Sequence, residues 1–265
     1  MNFILLALII LIISISMTMV GKGGGNFYVI VLIFAQLTMQ NAASTGQFIL
    51  FTASMSALLV FNKNKTLIWP LAILIGTLIS FSAFLGGYFS HNFESTTLKI
   101  IFSSLLFISG ILMLIKVKEK TVKVNNSKLG IWKFQFKNEN YYVNLFIAVP
   151  IIIITGFGSG MVGVSGGSFL VPLMVLACSL PMKYAVGTAS SLIAVTALMG
   201  FLGHLFQGDV SFAYAFPLSI VTIIGGLIGS KFALKSKPKN LKKLFAYTNF
   251  LAAIIMIVNA LKSLS

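Results

Sequence analysis

Long apolar runs, separated by short polar segments, make up most of this chain. A helix needs about 20 apolar residues to cross a bilayer, because it rises about 1.5 Å per residue. Runs of about this length recur along the whole sequence, so the pattern predicts an all-α membrane protein whose chain crosses the bilayer many times. The long runs are residues 3–20, 43–61, 67–89, 97–115, 143–162, 184–205, 210–230 and 244–261.

Two shorter apolar runs, at 26–37 and 168–180, are too brief to span a bilayer comfortably. Each follows a glycine-rich turn. This arrangement predicts a short broken or re-entrant helix in each half of the chain, and leaves open whether these helices span or turn back. Irregular backbone at membrane depth is tolerated only where it packs in protein or lines a wet cavity.

The two halves of the chain repeat one another. The segment VGKGGGNFYV at 20–29 matches VGVSGGSFLV at 162–171 with a constant offset of 142. The repeat predicts one fold present twice, with a first transmembrane repeat at 1–115, a cytoplasmic Lys-rich linker at 116–142 and a second repeat at 143–265. After a one-residue shift the match continues through Met39 with Met182, Ala42 with Ala185, Thr45 with Thr188, Leu98-Lys99 with Leu241-Lys242, Phe102 with Phe245 and Met113 with Met256.

The few charged residues predict the topology. All nineteen basic residues are lysines, concentrated at 116–137 and 231–243, and cytoplasmic loops are usually the positive ones. These two segments fall on the same side only if each half crosses an odd number of times, which makes the repeats inverted. We therefore expect a cell membrane protein with the Lys-rich loops in the cytoplasm and both termini outside.

The same charges exclude other classes of partner. The net charge is +15, but nucleic-acid surfaces usually combine arginine forks with interleaved aromatic residues, and this chain has no arginine. We expect no nucleic-acid partner, no cofactor and no metal. The expected partners are the lipid bilayer and a small solute, and the oligomeric state is left open.

The glycine turns are the first candidate site. Each is followed by a residue that favours the N-cap position, Asn26 or Ser168. Free N–H groups and the helix dipole at such an end favour an anion, and glycines let it approach the backbone. The alternative is that the glycines only permit close helix packing. The candidate substrate-binding residues are Lys22, Gly23, Gly24, Gly25 and Asn26 in the first turn, and Ser165, Gly166, Gly167 and Ser168 in the second.

Polar residues also recur just after each short helix and could donate hydrogen bonds to the same anion. The alternative is that they bond to helix carbonyls or across helices. These further candidates are Ser44, Thr45 and Gln47 in the first half, and Thr188, Ser190 and Ser191 in the second.

Lys22 is the most unusual candidate, because a cation at hydrocarbon depth costs several kcal/mol. The matching position of the second half is Val164. Three partners are conceivable for Lys22: the bound anion, a wet cavity, or the membrane surface reached by snorkelling.

The second half carries a family resemblance. The segments GVSGGSFLVPL at 163–173, LP at 180–181 and AVGTASS at 185–191 resemble the sulfite exporter TauE/SafE family. The resemblance covers the chain end to end and includes the duplicated arrangement. It implies export or exchange of small sulfur-containing anions such as sulfite, thiosulfate or an organosulfonate. The first half departs from the family pattern, with Lys22 in the turn and Ile30 in place of the proline at Pro172.

Two rival functions stay open from the sequence. The letters GVSG at 163–166 also fit the G-x-S-G motif of intramembrane serine proteases, with Ser165 as nucleophile and His204 as base. Against this, Ser165 aligns with Gly23, which marks a turn, and His204 ends a span near the predicted outer surface. The other rival is a membrane scaffold that transports nothing. We expect a transporter and no catalytic residues.

Overall fold

The computed structural model describes residues 2–114, 130–137, 139–164, 166–176, 178 and 180–262. More than half of the predicted linker, and the candidate Ser165, therefore lie outside the described residues. The described part folds mainly into helices, as the apolar runs predict.

The helices follow the same order in both halves, with a short helix second in each. Seven helices in the described part are long and apolar enough to cross a membrane, namely α3, α4, α5, α6, α8, α9 and α10. The chain is thus an all-α multi-pass membrane protein. The helices are α1 (Phe3–Met19), α2 (Gly25–Phe34), α3 (Met39–Lys63), α4 (Trp69–Phe89), α5 (Ser95–Leu114), α6 (Leu145–Val162), α7 (Gly167–Leu176), α8 (Met182–Leu205), α9 (Phe212–Lys235) and α10 (Pro238–Lys262), with one 3-10 turn at Ser90–Asn92.

Side-chain caps set several of the helix starts. Helix α3 begins before its apolar run, because the Thr38 hydroxyl accepts a hydrogen bond from the Asn41 N–H at 3.3 Å. At the start of α6, the Asn144 side chain accepts from the Phe146 N–H at 3.1 Å. Polar residues that flank an apolar run thus fix where each helix starts.

The turn between α1 and α2 needs its glycines. Gly21, Gly23 and Gly24 have φ angles of +80°, +68° and +107°, a left-handed conformation that residues with a Cβ rarely adopt. In the second half, Gly163 ends α6 with a φ of +73°. The matched glycines therefore form matched helix breaks.

The two halves are interleaved rather than placed side by side. Helix α4 packs against α6 and α8 of the second half, while its counterpart α9 packs against α1 and α3 of the first. Helix α5 packs against α10, and α3 packs against α8. Each contact thus has a counterpart in the other half, as a duplicated chain predicts. The inverted orientation of the halves stays a prediction.

Small residues allow α4 to approach the second half closely. A Cβ added to Gly86 would clash with the Phe157 carbonyl of α6, and one added to Gly203 of α8 would clash with the Phe84 carbonyl of α4. Close backbone approach at glycine is a common way for membrane helices to associate. The interleaving therefore depends on glycine at these crossings.

A strand pair lies at the junction of the predicted linker and the second repeat. Strand β1 (Ile131–Phe136) pairs antiparallel with β2 (Glu139–Asn144), and the rings of Phe134 and Tyr141 stack at 5.6 Å. The ring of Phe136 contacts that of Tyr184 at the start of α8. The described end of the linker is thus ordered against the second half.

Candidate functional site

The two glycine turns contact each other inside the protein. The Asn26 side-chain amide donates to the Ser168 hydroxyl at 2.9 Å, which joins two residues 142 positions apart. A Cβ added to Gly167 would lie 2.6 Å from the Gly21 carbonyl oxygen. The matched turns therefore form one junction at the start of α2 and α7.

Each turn also packs against the third helix of the other half. A Cβ on Gly21 would meet Val186 of α8 at 3.1 Å, and a Cβ on Gly163 would meet Ala43 of α3 at 2.6 Å. Ala43 and Val186 are matched positions of the repeat. Both turns are thus enclosed by equivalent helices.

The expected capping roles of Asn26 and Ser168 are wrong. Helix α2 starts at Gly25, with the left-handed Gly24 at the N-cap position and no side-chain cap. Helix α7 starts at Gly167, so Ser168 lies inside the helix, as Asn26 lies inside α2. The glycines replace the caps, and the two polar side chains bond across the junction instead.

Lys22 is buried and held by α10. Only 1% of its surface is exposed, so snorkelling to the membrane surface is excluded. Its ammonium lies 4.0 Å from the centroid of the Phe245 ring. All its hydrogen-bond partners are uncharged oxygens on α10: the Phe245 carbonyl at 2.6 Å, the Thr248 hydroxyl at 2.8 Å and the Asn249 side-chain carbonyl at 2.5 Å.

Asn249 connects Lys22 to the junction of the two turns. Its carbonyl oxygen accepts from Lys22 and, at 3.3 Å, from Asn26, while its amide donates to the Ser109 hydroxyl at 2.8 Å. Ser109 in turn donates to the Ser168 carbonyl. These residues, Lys22, Asn26, Ser109, Ser168, Thr248 and Asn249, form a buried polar cluster that we call the junction cluster.

Sequence reasoning missed three members of the junction cluster. Ser109, Thr248 and Asn249 stand inside apolar runs that were interpreted only as spans. The available signal was the amide of Asn249 within the run 244–261, because strongly polar side chains inside a membrane helix tend to be functional. The serine and threonine carried a weaker signal, since such residues often bond only to their own helix.

Thr45 and Thr188 make matched contacts between the two halves. The Thr188 hydroxyl accepts from the Ile68 N–H at 3.1 Å, and the Thr45 hydroxyl accepts from the Ser211 N–H at 3.3 Å. Ile68 and Ser211 directly precede α4 and α9. Each threonine therefore caps the fourth helix of the other half.

The other hydroxyl candidates divide into two groups. Ser190 and Ser191 donate to the carbonyls of Gly187 and Thr188 in their own helix, each at 2.7 Å. Ser44 is buried and its hydroxyl has no hydrogen-bond partner. Only Ser44 of these three has an unused polar group.

Gln47 reaches the end of α6. Its amide donates to the carbonyls of Ser159 and Gly160 at 3.1 Å and 2.8 Å, while its own side-chain carbonyl is buried without a partner. Gln47 and Ser44 lie three residues apart, on one face of α3. The Ser44 hydroxyl and the Gln47 side-chain carbonyl thus stay unsatisfied near the second turn.

The turn glycines differ in how much space surrounds them. A Cβ on Gly23 would lie 2.5 Å from Leu50 and 2.6 Å from the Ser54 hydroxyl, and one on Gly24 would meet the Tyr28 ring. Gly25, the first residue of α2, is buried as well. Gly166 differs from these, because a Cβ there would make ordinary contacts at 3.4–3.5 Å.

Comparison with known proteins identifies the family. The profile of the sulfite exporter TauE/SafE family matches residues 6–256. The chain belongs to this family. The match runs from α1 into α10, so the TauE/SafE family model includes both halves of the chain.

Curated relatives of this TauE/SafE protein are described as probable membrane transporters. YunE of Bacillus subtilis is 24% identical over 254 residues, covering 91% of this chain and 92% of the relative. YdhB of the same organism is 22% identical, with coverages of 90% and 93%. MJ0441 of Methanocaldococcus jannaschii is 26% identical, with coverages of 84% and 83%. No solved structure matches the chain.

These findings confirm that the TauE/SafE chain is a membrane transporter and not an enzyme. The geometry of His204 agrees. Its Nδ1 lies 3.0 Å from the Ser90 hydroxyl and its Nε2 lies 3.0 Å from the Gly160 carbonyl, so both ring nitrogens are engaged. His204 is also fully buried within the protein, in the last turn of α8. The hypothesis of an intramembrane serine protease is therefore not favoured.

Proposed function

We propose that this chain exports a small sulfur-containing anion, such as sulfite, thiosulfate or an organosulfonate, and binds it at the junction cluster. One observation carries the proposal. Lys22 is a buried lysine at the contact between the two turns, and its partners are all uncharged oxygens. The binding residues inferred from the sequence belong to the same proposal, with Ser109, Thr248 and Asn249 added.

The charge of Lys22 argues for an anion. The three α10 oxygens satisfy the ammonium donors but leave its positive charge without a counter-ion. A buried ion without an opposite charge costs several kcal/mol, and this cost is recovered when a counter-ion arrives. An anion is therefore the ligand that Lys22 favours most strongly.

The donors of the junction cluster suit an oxyanion. The ammonium of Lys22 and the side-chain amides of Asn26 and Asn249 supply N–H groups, and Ser109 and Ser168 supply hydroxyls. Sulfite and sulfonate groups carry several acceptor oxygens, and hydrogen bonds to ionised groups are the strong ones. The family description supplies the sulfur chemistry, because it names a sulfite exporter.

The membrane potential can drive export without a coupling ion. An inside-negative potential favours outward movement of an anion by about 2.3 kcal/mol per charge per 100 mV. The four carboxylates, Glu94, Glu119, Glu139 and Asp209, all fall between the apolar runs or at their edges. This distribution is consistent with transport driven by the charge of the anion itself.

The arrangement of Lys22 corresponds to a closed site. Because α10 oxygens use the ammonium donors, an entering anion must replace at least one of them. The replacement couples binding to a shift of α10 relative to the glycine turn. Such a shift is what a transporter needs in order to open its site.

Flux into proteoliposomes tests the proposal. We expect uptake of at least one radiolabelled anion from a panel of sulfite, thiosulfate and sulfoacetate, driven by an inside-positive potential. Lys22→Gln, which removes the charge, should lower the apparent affinity about tenfold or more, the equivalent of at least 1.4 kcal/mol. Lys243→Gln, an exposed lysine on α10, is the matched control and should transport normally.

Two results would contradict the proposal. A wild-type protein that carries no anion of the panel would point to a scaffold. Normal affinity in Lys22→Gln for every transported anion would remove Lys22 from the site. Expression and the melting temperature of each variant in detergent show whether a loss of transport reflects a loss of fold.

A further inference from the structure

A cavity of about 440 Å³ opens where α2 ends, beside α5 and α10. One water molecule takes up about 30 Å³ of liquid, so this cavity is large enough for a small hydrated anion. Its polar lining consists of Gln36, Thr38, Lys99 and Asn259. The predicted topology places it at the outer surface.

Asn259 marks this cavity as a polar site. Its side-chain carbonyl oxygen is buried and has no hydrogen-bond partner. Water in the cavity can donate to this oxygen, whereas the part of the amide that can donate to an anion is its N–H groups. Lys99, partly buried in the same wall, adds a positive charge.

Asn259 also lines a narrow apolar groove that leads away from the cavity between α2 and α10. The other lining residues are Ile30, Ile33, Phe34, Ile255 and Met256. Further along the same two helices lie Asn26, four residues before Ile30, and Asn249, seven residues before Met256. The groove thus points from the cavity to the junction cluster.

The geometry of α5 and α10 gives the length of this path. Ser109 bonds to Asn249 near the middle of the pair, and Lys99 shares the cavity with Asn259 at one end, so the two helices run antiparallel. Asn249 and Asn259 are ten residues apart, which corresponds to about 15 Å along a helix. That is about half of a hydrocarbon core.

We infer that the cavity at Lys99 and Asn259 is the outer anion-binding vestibule of the transporter, and that the groove between α2 and α10 is its hydrophobic gate. The inference rests on the proposed function and extends it by a second binding site and a route. The anion passes between Lys22 and Lys99 along the groove, which opens when α10 moves. Lys99 matches Lys242 in the repeat, and Lys242 is partly buried near the opposite end of α10.

Kinetics of uptake test the vestibule. Lys99→Gln and Asn259→Leu should each raise the KM for the transported panel anion about tenfold while the maximal rate stays within about twofold, because the junction cluster is intact. Lys243→Gln is again the control. Melting temperatures in detergent check that Asn259→Leu is folded. An unchanged KM in both variants would overturn the vestibule while leaving the proposed function in place.

A lipid phosphate is the other source of an anion at this surface, and vesicle composition separates the two. In vesicles of phosphatidylcholine alone, the Lys99→Gln effect on KM should persist. An effect that appears only when phosphatidylglycerol is added would show that Lys99 holds lipid headgroups, and would overturn the inference.

The gate has its own readout. Met256→Cys, in a Cys178→Ala background, should react slowly with a maleimide, and the rate should rise severalfold during transport of sulfoacetate. Lys22→Gln should shift this rise to about tenfold higher sulfoacetate concentrations, because the anion that moves α10 binds more weakly. In a protein that transports sulfoacetate, a labelling rate that sulfoacetate does not change would exclude the groove as the route. A protein that transports no anion of the panel would instead contradict the proposed function itself.

Discussion

Lys22 shows how far single residues can be interpreted from sequence. A lysine in a glycine turn between apolar runs is unusual, and its match to Val164 makes it a candidate at once. Its partners were not predictable, because Phe245 and Asn249 lie 223 and 227 residues away and only the fold brings α10 to the turn. The contact between Asn26 and Ser168 was easier to anticipate, since the repeat matches their positions.

A substitution at Asn249 separates the charge of Lys22 from its packing. Asn249→Asp places a carboxylate 2.5 Å from the Lys22 ammonium, where the amide oxygen now lies. The internal ion pair should weaken binding of the panel anion about tenfold or more, without lowering the melting temperature in detergent. Binding of a radiolabelled anion to the purified protein measures the first effect.

Asn240→Asp, at the exposed start of α10, serves as the control for added negative charge. Equal affinity in both aspartate variants and the wild type would mean that the charge of Lys22 is not used for the anion.

At the scale of helices, the apolar pattern predicts the elements well and their ends less well. The predicted runs and the observed helices share their centres, because burial in lipid determines the runs. Ends depend on local hydrogen bonds, so Thr38 starts α3 at Met39, and left-handed Gly24 takes the cap position expected for Asn26. The strand pair β1–β2 was missed because its polar residues were assigned to a linker.

The matched threonine caps make a prediction about stability. Thr188→Val removes the acceptor of the buried Ile68 N–H, which costs about 1–3 kcal/mol. For a protein of this size, each kcal/mol lowers the melting temperature by about 2–4 °C. Thermal unfolding in detergent should show this loss.

Thr188→Ser keeps the hydroxyl and should retain most of the stability. Ser190→Ala, which removes only a bond within α8, should change the melting temperature little. A valine variant as stable as the serine variant would show that α4 does not depend on this cap.

At the scale of the whole molecule, the repeat was predictable and the interleaving was not. Matching residues at a constant offset indicate that the two halves share a fold, but they do not show which helices pack against each other. The partners of α4 and α9 are decided by small residues such as Gly86 of α4 and Gly226 of α9, whose role appears only when the opposing backbone is known. The sidedness of the halves still rests on the lysines.

Cysteine labelling tests that sidedness. Asn64 and Gln207 occupy matched positions in the loops after α3 and α8. If the repeats are inverted, Asn64→Cys should react with a membrane-impermeant maleimide only from the cytoplasmic side, and Gln207→Cys only from outside. The experiment uses intact cells and inverted vesicles in a Cys178→Ala background. Labelling of both from one side would establish parallel repeats instead.

The interleaving of α4 and α9 has a consequence for synthesis. The ribosome synthesises α4 before α6 and α8. The glycine face of α4 therefore enters the membrane before the two helices that pack against it. Similarly, α1 and α3 are inserted long before α9 arrives to cover them. Neither half therefore completes its interior until most of the chain has been translated.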